Sequence, residues 1–193
     1  MWLVPAAGGP PAMVQPKLSG YVHGWTADGQ SLLYVAGRGG PLRIFRRPAG
    51  GGDEVPLLAH QGFSDGPDAT RDGQWIYYTS DKSGKMKVWR IPAAGAGPND
   101  ERAEQVTDDG PTDWFPHPSP DGKWLLFLSD PRANNGTVDR EEVVLRLMPL
   151  PGDKLERGSV QEVARFIGGQ GTINAPCWSP DGKYIAYVRY APK

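Results

Sequence analysis

Short apolar runs separated by polar turns recur along the whole chain and predict β-strands. The four most similar stretches are TADGQSLLYVA (26–36), TRDGQWIYYTS (70–80), SPDGKWLLFLS (119–129) and SPDGKYIAYVR (179–189). In each stretch an Asp-Gly pair precedes a run of aromatic and aliphatic residues, which are the residue types that suit a packed strand. No segment of useful length shows the 3.6-residue period of an amphipathic helix. The pattern therefore predicts an all-β fold.

The Asp-Gly pairs predict tight hairpin turns. Both central positions of such a turn tolerate a positive φ, and glycine adopts one without steric cost. We therefore expect the four aspartates to be turn formers rather than catalytic acids. The structural turn residues predicted in this way are Asp28, Gly29, Asp72, Gly73, Asp121, Gly122, Asp181 and Gly182.

The turns belong to a larger repeat of four strands. A short strand precedes each Asp-Gly pair, and a third and a fourth strand follow the long apolar run. The aspartates are 44, 49 and 60 residues apart, which is the period of a β-propeller blade of four antiparallel strands. We therefore predict a single propeller domain over residues 1–193, with blades at about 18–60, 61–108 and 109–166.

The phase of the repeat predicts a fourth, composite blade. The opening run MWLVPAAGG is similar to VWRIPAAG at 88–95, so the chain begins on a third strand (Trp2–Val4) and a fourth strand (near Ala12–Gln15). It ends on a first and a second strand, within Asn174–Val188. Residues 1–17 would then complete the blade of 172–193, a velcro closure that removes exposed strand edges.

The count of four blades leaves two arrangements open. One is a four-bladed ring within one chain. The other is an eight-bladed ring of two chains, in which the terminal strands of each chain complete a blade of the other. Four blades need steep wedges between neighbouring sheets, and the bulky aromatic residues of the repeat suit a larger ring. The homodimer is therefore the favoured expectation.

Composition narrows the classes of partner. The formal net charge is −1, which gives no electrostatic reason to expect nucleic acid or an anionic membrane as a partner. Cys177 is the single cysteine, so an intrachain disulfide is excluded and a cysteine-based zinc site is not expected. No apolar run approaches the ~20 residues of a membrane span. The start of the chain lacks the features of a signal peptide, which leaves the compartment open between the cytoplasm and, for a chain whose leader has been removed, the periplasm.

The Asp-Gly stretches resemble the WD40-like propeller repeat of TolB-type proteins. The hallmark of that repeat is Ser-Pro-Asp-Gly-Lys before an aromatic strand; residues 119–123 and 179–183 match it in full, and 26–30 and 70–74 match it in part. The resemblance covers nearly the whole chain and implies a TolB-like propeller. Small members of the family look like six-bladed rings, and this chain is similar to the last four blades of such a ring.

The strand before each Asp-Gly pair is expected to line the central channel. Polar and aromatic groups at equivalent positions of these strands would then converge at the channel mouth. The alternative is that they satisfy backbone groups and water within the channel. The candidate binding residues are His23, Asp65, Asp68, Trp114, His117 and Asn174, together with Gln170 and Thr172 of the preceding loop.

Three functions remain open from these residues. The first is a non-catalytic scaffold that binds a protein or peptide through its loop face and channel, with no cofactor. The second is a metal-dependent lyase or hydrolase that uses His23, His117 and Asp68, although their spacing matches no compact metal-ligand motif. The third is a fragment or engineered array that self-assembles without an activity of its own. No Gly-x-Ser-x-Gly nucleophile motif is present, which favours the first.

Overall fold

The computed structural model describes residues 1–14, 20–133, 135–136, 139–155 and 158–191. Within these ranges the chain forms fourteen β-strands and no helix. The strands are β1 (Trp2–Leu3), β2 (Ala12–Met13), β3 (Gly20–Trp25), β4 (Ser31–Ala36), β5 (Arg43–Pro48), β6 (Val55–Pro56), β7 (Ser64–Ala69), β8 (Trp75–Ser80), β9 (Lys87–Pro92), β10 (Glu104–Gln105), β11 (Thr112–Pro118), β12 (Trp124–Asp130), β13 (Asp139–Pro149) and β14 (Gln161–Gly169).

The strands build three complete blades, each a four-stranded antiparallel sheet in which consecutive strands are neighbours. The first blade contains β3 to β6, the second β7 to β10 and the third β11 to β14. β1 and β2 form a two-stranded sheet of their own, called the N-terminal hairpin below. This arrangement confirms the predicted all-β propeller fold.

Apolar side chains on alternate sides of each second strand join the blades. On β8, Ile76 and Tyr78 pack into a cluster with Leu33 of the first blade, whereas Tyr77 packs into a cluster with Phe127 of the third blade. Successive residues of a strand point to opposite faces, so one apolar run without polar interruptions supplies the core on both sides of its sheet. This is why the runs after the Asp-Gly pairs are continuously hydrophobic.

The four Asp-Gly turns share one hydrogen-bond pattern. The hydroxyl two residues before each aspartate donates to its Oδ1 over 2.6 Å, from Thr26, Thr70, Ser119 and Ser179. The same hydroxyl accepts the backbone N–H five residues later, as Thr70 does from Trp75 at 3.0 Å. These hydroxyls lower the pKa of the aspartates. The following glycines have φ between +68° and +73°, whereas none of the four aspartates has a positive φ. The turns therefore use the predicted conformational freedom of glycine, but not a positive φ at both positions of the pair.

The two ends of the chain pack on opposite sides of the three blades. Met1, Leu3 and Val14 of the N-terminal segment cluster with Leu32 and Tyr34 of the first blade. At the other end, residues 172–191 form a C-terminal hairpin, from which Ile173 and Cys177 pack against the third blade.

The C-terminal hairpin is less regular than the sequence predicted. Instead of two strands within Asn174–Val188, it has one isolated bridge, between Trp178 and Ile185, and single hydrogen bonds such as Ala186 N–H to the Cys177 carbonyl. Only one neighbouring blade packs against it, whereas β4, β8 and β12 are buried from both sides, which explains the looser pairing.

Among the described residues, no strand pairing or backbone hydrogen bond joins the two terminal hairpins. β1 pairs with β2 alone. The closure between residues 1–17 and 172–193 therefore stays a prediction. Part of it, residues 15–17 and 192–193, lies outside the described residues.

The Asp-Gly turns give a direct test of backbone strain. Gly122 has φ +72°, and a Cβ added to it would meet no atom within 4 Å. A Gly122→Ala substitution should therefore destabilise the fold by about 1 kcal/mol, the cost of the left-handed backbone in a residue with a Cβ. The measurement is the free energy of unfolding in urea. Gly110→Ala is the control, because Gly110 has an ordinary φ and open space around it; an equal loss in both variants would contradict the explanation.

Candidate functional site

The last residues before the four Asp-Gly pairs converge on one open cleft. This turn-face cleft has a volume of about 480 Å³. Its walls come from the ends of the inner strands of the second and third blades, from the C-terminal hairpin and from one residue of the first blade. They are Ala27, Asp68, Ala69, Thr70, Arg71, Pro118, Ser119, Pro120, Pro176, Cys177, Trp178, Ser179 and Pro180. The repeat therefore brings equivalent positions of all four copies to the same place.

Arg71 lies at the centre of this face. It is exposed and lines the turn-face cleft as well as two adjoining clefts of about 540 and 460 Å³. In the described part of the chain its guanidinium has no hydrogen-bond or ion-pair partner, whereas Arg46 of the adjoining cleft donates to the Ala93 carbonyl over 3.0 Å. Arg71 thus offers a free cation to whatever enters the clefts.

Asp68 lines the turn-face cleft and contacts His117, which does not itself line it. His117 is buried on β11, with its Nδ1 2.8 Å from Asp68 Oδ2 of the second blade and its Nε2 2.6 Å from the Ile173 carbonyl of the C-terminal hairpin. Both ring nitrogens are therefore in contact with oxygen atoms of the protein. Trp178 Nε1 also donates to the His117 carbonyl, over 2.9 Å. One side chain therefore links three successive repeats.

His23 and Asp65 make the corresponding contact between the first and second blades. His23 Nε2 lies 3.0 Å from Asp65 Oδ1. The two groups are not aligned for a hydrogen bond. Asp65 Oδ1 also accepts the Gly66 N–H over 2.7 Å. The predicted polar residues of the inner strands thus meet in pairs between neighbouring blades.

The other predicted binding residues lie elsewhere. Trp114 is buried in the core beside Phe63, and the Thr172 hydroxyl accepts the Gly169 N–H over 3.1 Å. Gln170 is half-buried. Asn174 is exposed and lines, with Thr172, a separate pocket of about 230 Å³ in the C-terminal hairpin. Of the eight predicted residues, only Asp68 lines the turn-face cleft.

Arg71 and Trp178 were not among the predicted binding residues. The predicted inner-strand residues lie four to seven positions before each aspartate, whereas the cleft is built from positions one to five before it. Directly before the aspartate the repeats carry Ala27, Arg71, Pro120 and Pro180. A single charged residue among three neutral ones was the available signal.

The residues suggested for a metal-dependent enzyme do not assemble into a ligand set. In the described ranges, no group of three or more His, Cys, Asp or Glu side chains could hold a metal ion. His117 already directs both ring nitrogens at protein oxygen atoms, and His23 faces Asp65 of a different blade pair.

Known proteins resemble this chain both in sequence and in fold. No protein-family model matches the chain. An uncharacterized protein of Agrobacterium fabrum is 39% identical over 193 residues, which are all of this chain and 62% of that protein. A solved structure named as a candidate TolB from Agrobacterium tumefaciens is 38% identical, with a TM-score of 0.87 over all of this chain and 66% of that one. The chain therefore spans less than two thirds of the length of these relatives.

More distant structures share the fold alone. TolB from Acinetobacter baumannii has a TM-score of 0.71 at 18% identity, over 94% of this chain and 41% of that one. An oligogalacturonate lyase from Vibrio parahaemolyticus has a TM-score of 0.54 at 11% identity, over 86% of this chain and 46% of that one. A similar propeller fold thus occurs in a protein named TolB and in a protein named as a lyase.

None of the described residues forms a helix with the length and apolar character of a membrane-spanning segment.

Cys177 is a wall residue of the turn-face cleft with little nucleophilic character. It is buried, and burial together with the nearby Asp68 carboxylate raises the pKa of its thiol to about 12. At pH 8 the thiol is therefore protonated, and the thiolate is the form that reacts.

We expect iodoacetamide at pH 8 to alkylate Cys177 far more slowly in the folded protein than in urea. Mass spectrometry of the intact chain measures the rate, because Cys177 is the single cysteine. Similar rates in the two conditions would show that the thiol is accessible and ionised.

Proposed function

Since the chain is a TolB-like β-propeller, we propose that it acts as a non-catalytic scaffold that binds a peptide segment of a partner protein in the turn-face cleft. The observation that carries the proposal is the convergence of four repeat turns on one open cleft with mixed walls. Its volume of about 480 Å³ is within the range typical of binding pockets, roughly 300–1,000 Å³.

The chemistry of the walls suits an extended peptide. Pro118, Pro120, Pro176 and Pro180 offer apolar surface without backbone donors, and Trp178 lines the same cleft. Asp68 and Arg71 add one acceptor group and one donor group. Apolar surface with few, separated polar groups binds side chains and fixes the direction of a peptide at the same time.

The same groups supply little for catalysis. The Cys177 thiol has a raised pKa. His117 is the histidine nearest the cleft wall, but both of its nitrogens contact protein oxygen atoms, so neither is free to take a proton from a bound substrate. These features support a binding role over an enzymatic one.

Filling the turn-face cleft should abolish peptide binding. Random linear peptides displayed on phage would be selected on the native chain, and their affinity measured for a Pro180→Trp variant. Pro180 is exposed, and the equivalent positions carry Ala27 and Arg71, so the turn tolerates other residues while the indole occupies the cleft. We expect at least a tenfold loss of affinity.

The matched control is Pro98→Trp, which adds the same indole to an exposed proline outside the cleft and should bind the selected peptides normally. Selection of no peptides, or equal affinity in both tryptophan variants, would contradict the proposed function.

We further propose that copies of the chain associate through their terminal hairpins. Exposed apolar side chains are concentrated at both ends: Trp2, Val4 and Met13 on one side, and Tyr184, Tyr187 and Val188 on the other, with Trp2 61% and Tyr184 73% exposed. Patches of this kind on a soluble protein favour association. One hairpin carries the third- and fourth-strand pattern and the other the first- and second-strand pattern, so two copies complement each other.

Light scattering should then give about twice the chain mass of 21.0 kDa at high concentration. Trp2→Ser and Tyr184→Ser should each shift the mass toward that of one chain, because they remove apolar contact area. Val163→Ser is the control, since Val163 is an exposed apolar residue of β14 and belongs to neither hairpin. A mass near 21 kDa for the native chain at every concentration would refute the association.

A further inference from the structure

We infer that Arg71 is the specificity-determining contact of the turn-face cleft, where it binds a carboxylate group of the peptide. This inference rests on the proposed function and adds the chemical class of the ligand.

The turn that carries Arg71 does not need an arginine. At the equivalent position, the other three turns have Ala27, Pro120 or Pro180, and they form the same hydroxyl-to-aspartate hydrogen bond of 2.6 Å. Thr70 and Asp72 make that bond in the Arg71 turn without any contribution from the guanidinium. A structural explanation for the arginine is therefore missing among the described residues.

The position of Arg71 indicates that its side chain contacts a ligand. Its guanidinium is exposed where three clefts adjoin, on the face toward which all four repeats direct their turns. It has no polar partner in the part of the chain that the structure describes. The nearby acidic groups are already engaged: Asp72 accepts from Thr70 and from the Gln74 N–H at 3.0 Å, and Asp68 contacts His117.

A carboxylate is the ligand group that fits these surroundings. The planar guanidinium fork matches the two oxygens of a carboxylate in a bidentate pair. Asp68 and Asp72 oppose a second negative charge in the same place, which disfavours a phosphate dianion. A single carboxylate matches the guanidinium and carries only one negative charge. An apolar residue beside it in the peptide would pack against the prolines and Trp178.

Two peptide features supply such a carboxylate: an acidic side chain and a free C-terminus. The peptides selected on the native chain are therefore synthesised in four forms. These are the parent peptide, its Glu→Gln or Asp→Asn analogue, its C-terminally amidated analogue and the doubly neutral peptide. The form whose neutralisation weakens binding identifies the source of the carboxylate.

Titration calorimetry with Arg71→Ala tests the contact. We expect the parent peptide to bind about tenfold or more weakly to this variant, as for a lost charge-assisted hydrogen bond. Neutralising the peptide carboxylate should cost the same on the native chain and nothing further on Arg71→Ala, because both changes remove one interaction. Arg71→Lys should recover part of the affinity, since it restores the charge but not the fork.

Two controls separate this contact from effects on folding or net charge. Arg71→Ala reproduces the residue of the Ala27 turn, so its thermal unfolding temperature should equal that of the native chain. Arg102→Ala removes an exposed arginine outside the cleft and should leave peptide affinity unchanged.

The outcomes distinguish the two proposals. If peptides bind in a Pro180→Trp-sensitive manner but neither Arg71→Ala nor carboxylate neutralisation weakens them, the role of Arg71 is overturned while the binding function stands. If no peptide binds the turn-face cleft, both fail. A loss in Arg71→Ala that is additive with carboxylate neutralisation also overturns the direct contact.

Discussion

Apolar packing between neighbouring blades is the interaction on which the rest of this structure depends. Each second strand buries both of its faces, so that Ile76 and Tyr77, adjacent in sequence, belong to different clusters on opposite sides of one sheet. A blade is consequently stable only between two neighbours. The positions of the inner strands, and through them of every cleft residue, follow from this packing.

The polar groups of the inner strands reinforce the same order of blades. His117 connects the second blade, the third blade and the C-terminal hairpin through Asp68 and the Ile173 carbonyl. These contacts within the protein hold the inner strands, and with them the walls of the turn-face cleft, in place. Arg71, in contrast, lines the cleft and has no polar partner among the described residues.

Much of the fold could be predicted from the sequence, because the determining signals are local. The glycine of each Asp-Gly pair adopts a positive φ, and a strand that is apolar on both faces must be covered on both faces. The irregular C-terminal hairpin was not predictable in this way. Its sequence, SPDGKYIAYVR, follows the same pattern as that of the regular β11–β12 turn region. It differs in being packed on one side only, whereas the third blade lies between the second blade and the C-terminal hairpin.

The candidate site shows the same division. By itself the sequence determined the repeat, the four turns, and the inner strands that carry His23, Asp65, Asp68 and His117, since these depend on residue type and spacing along the chain. The tertiary structure decided which of these side chains contact a neighbouring blade, as His117 does with Asp68 and His23 with Asp65. Arg71 occupies an ordinary turn position in the sequence. Only the convergence of the repeats places its guanidinium, which has no polar partner among the described residues, beside three clefts.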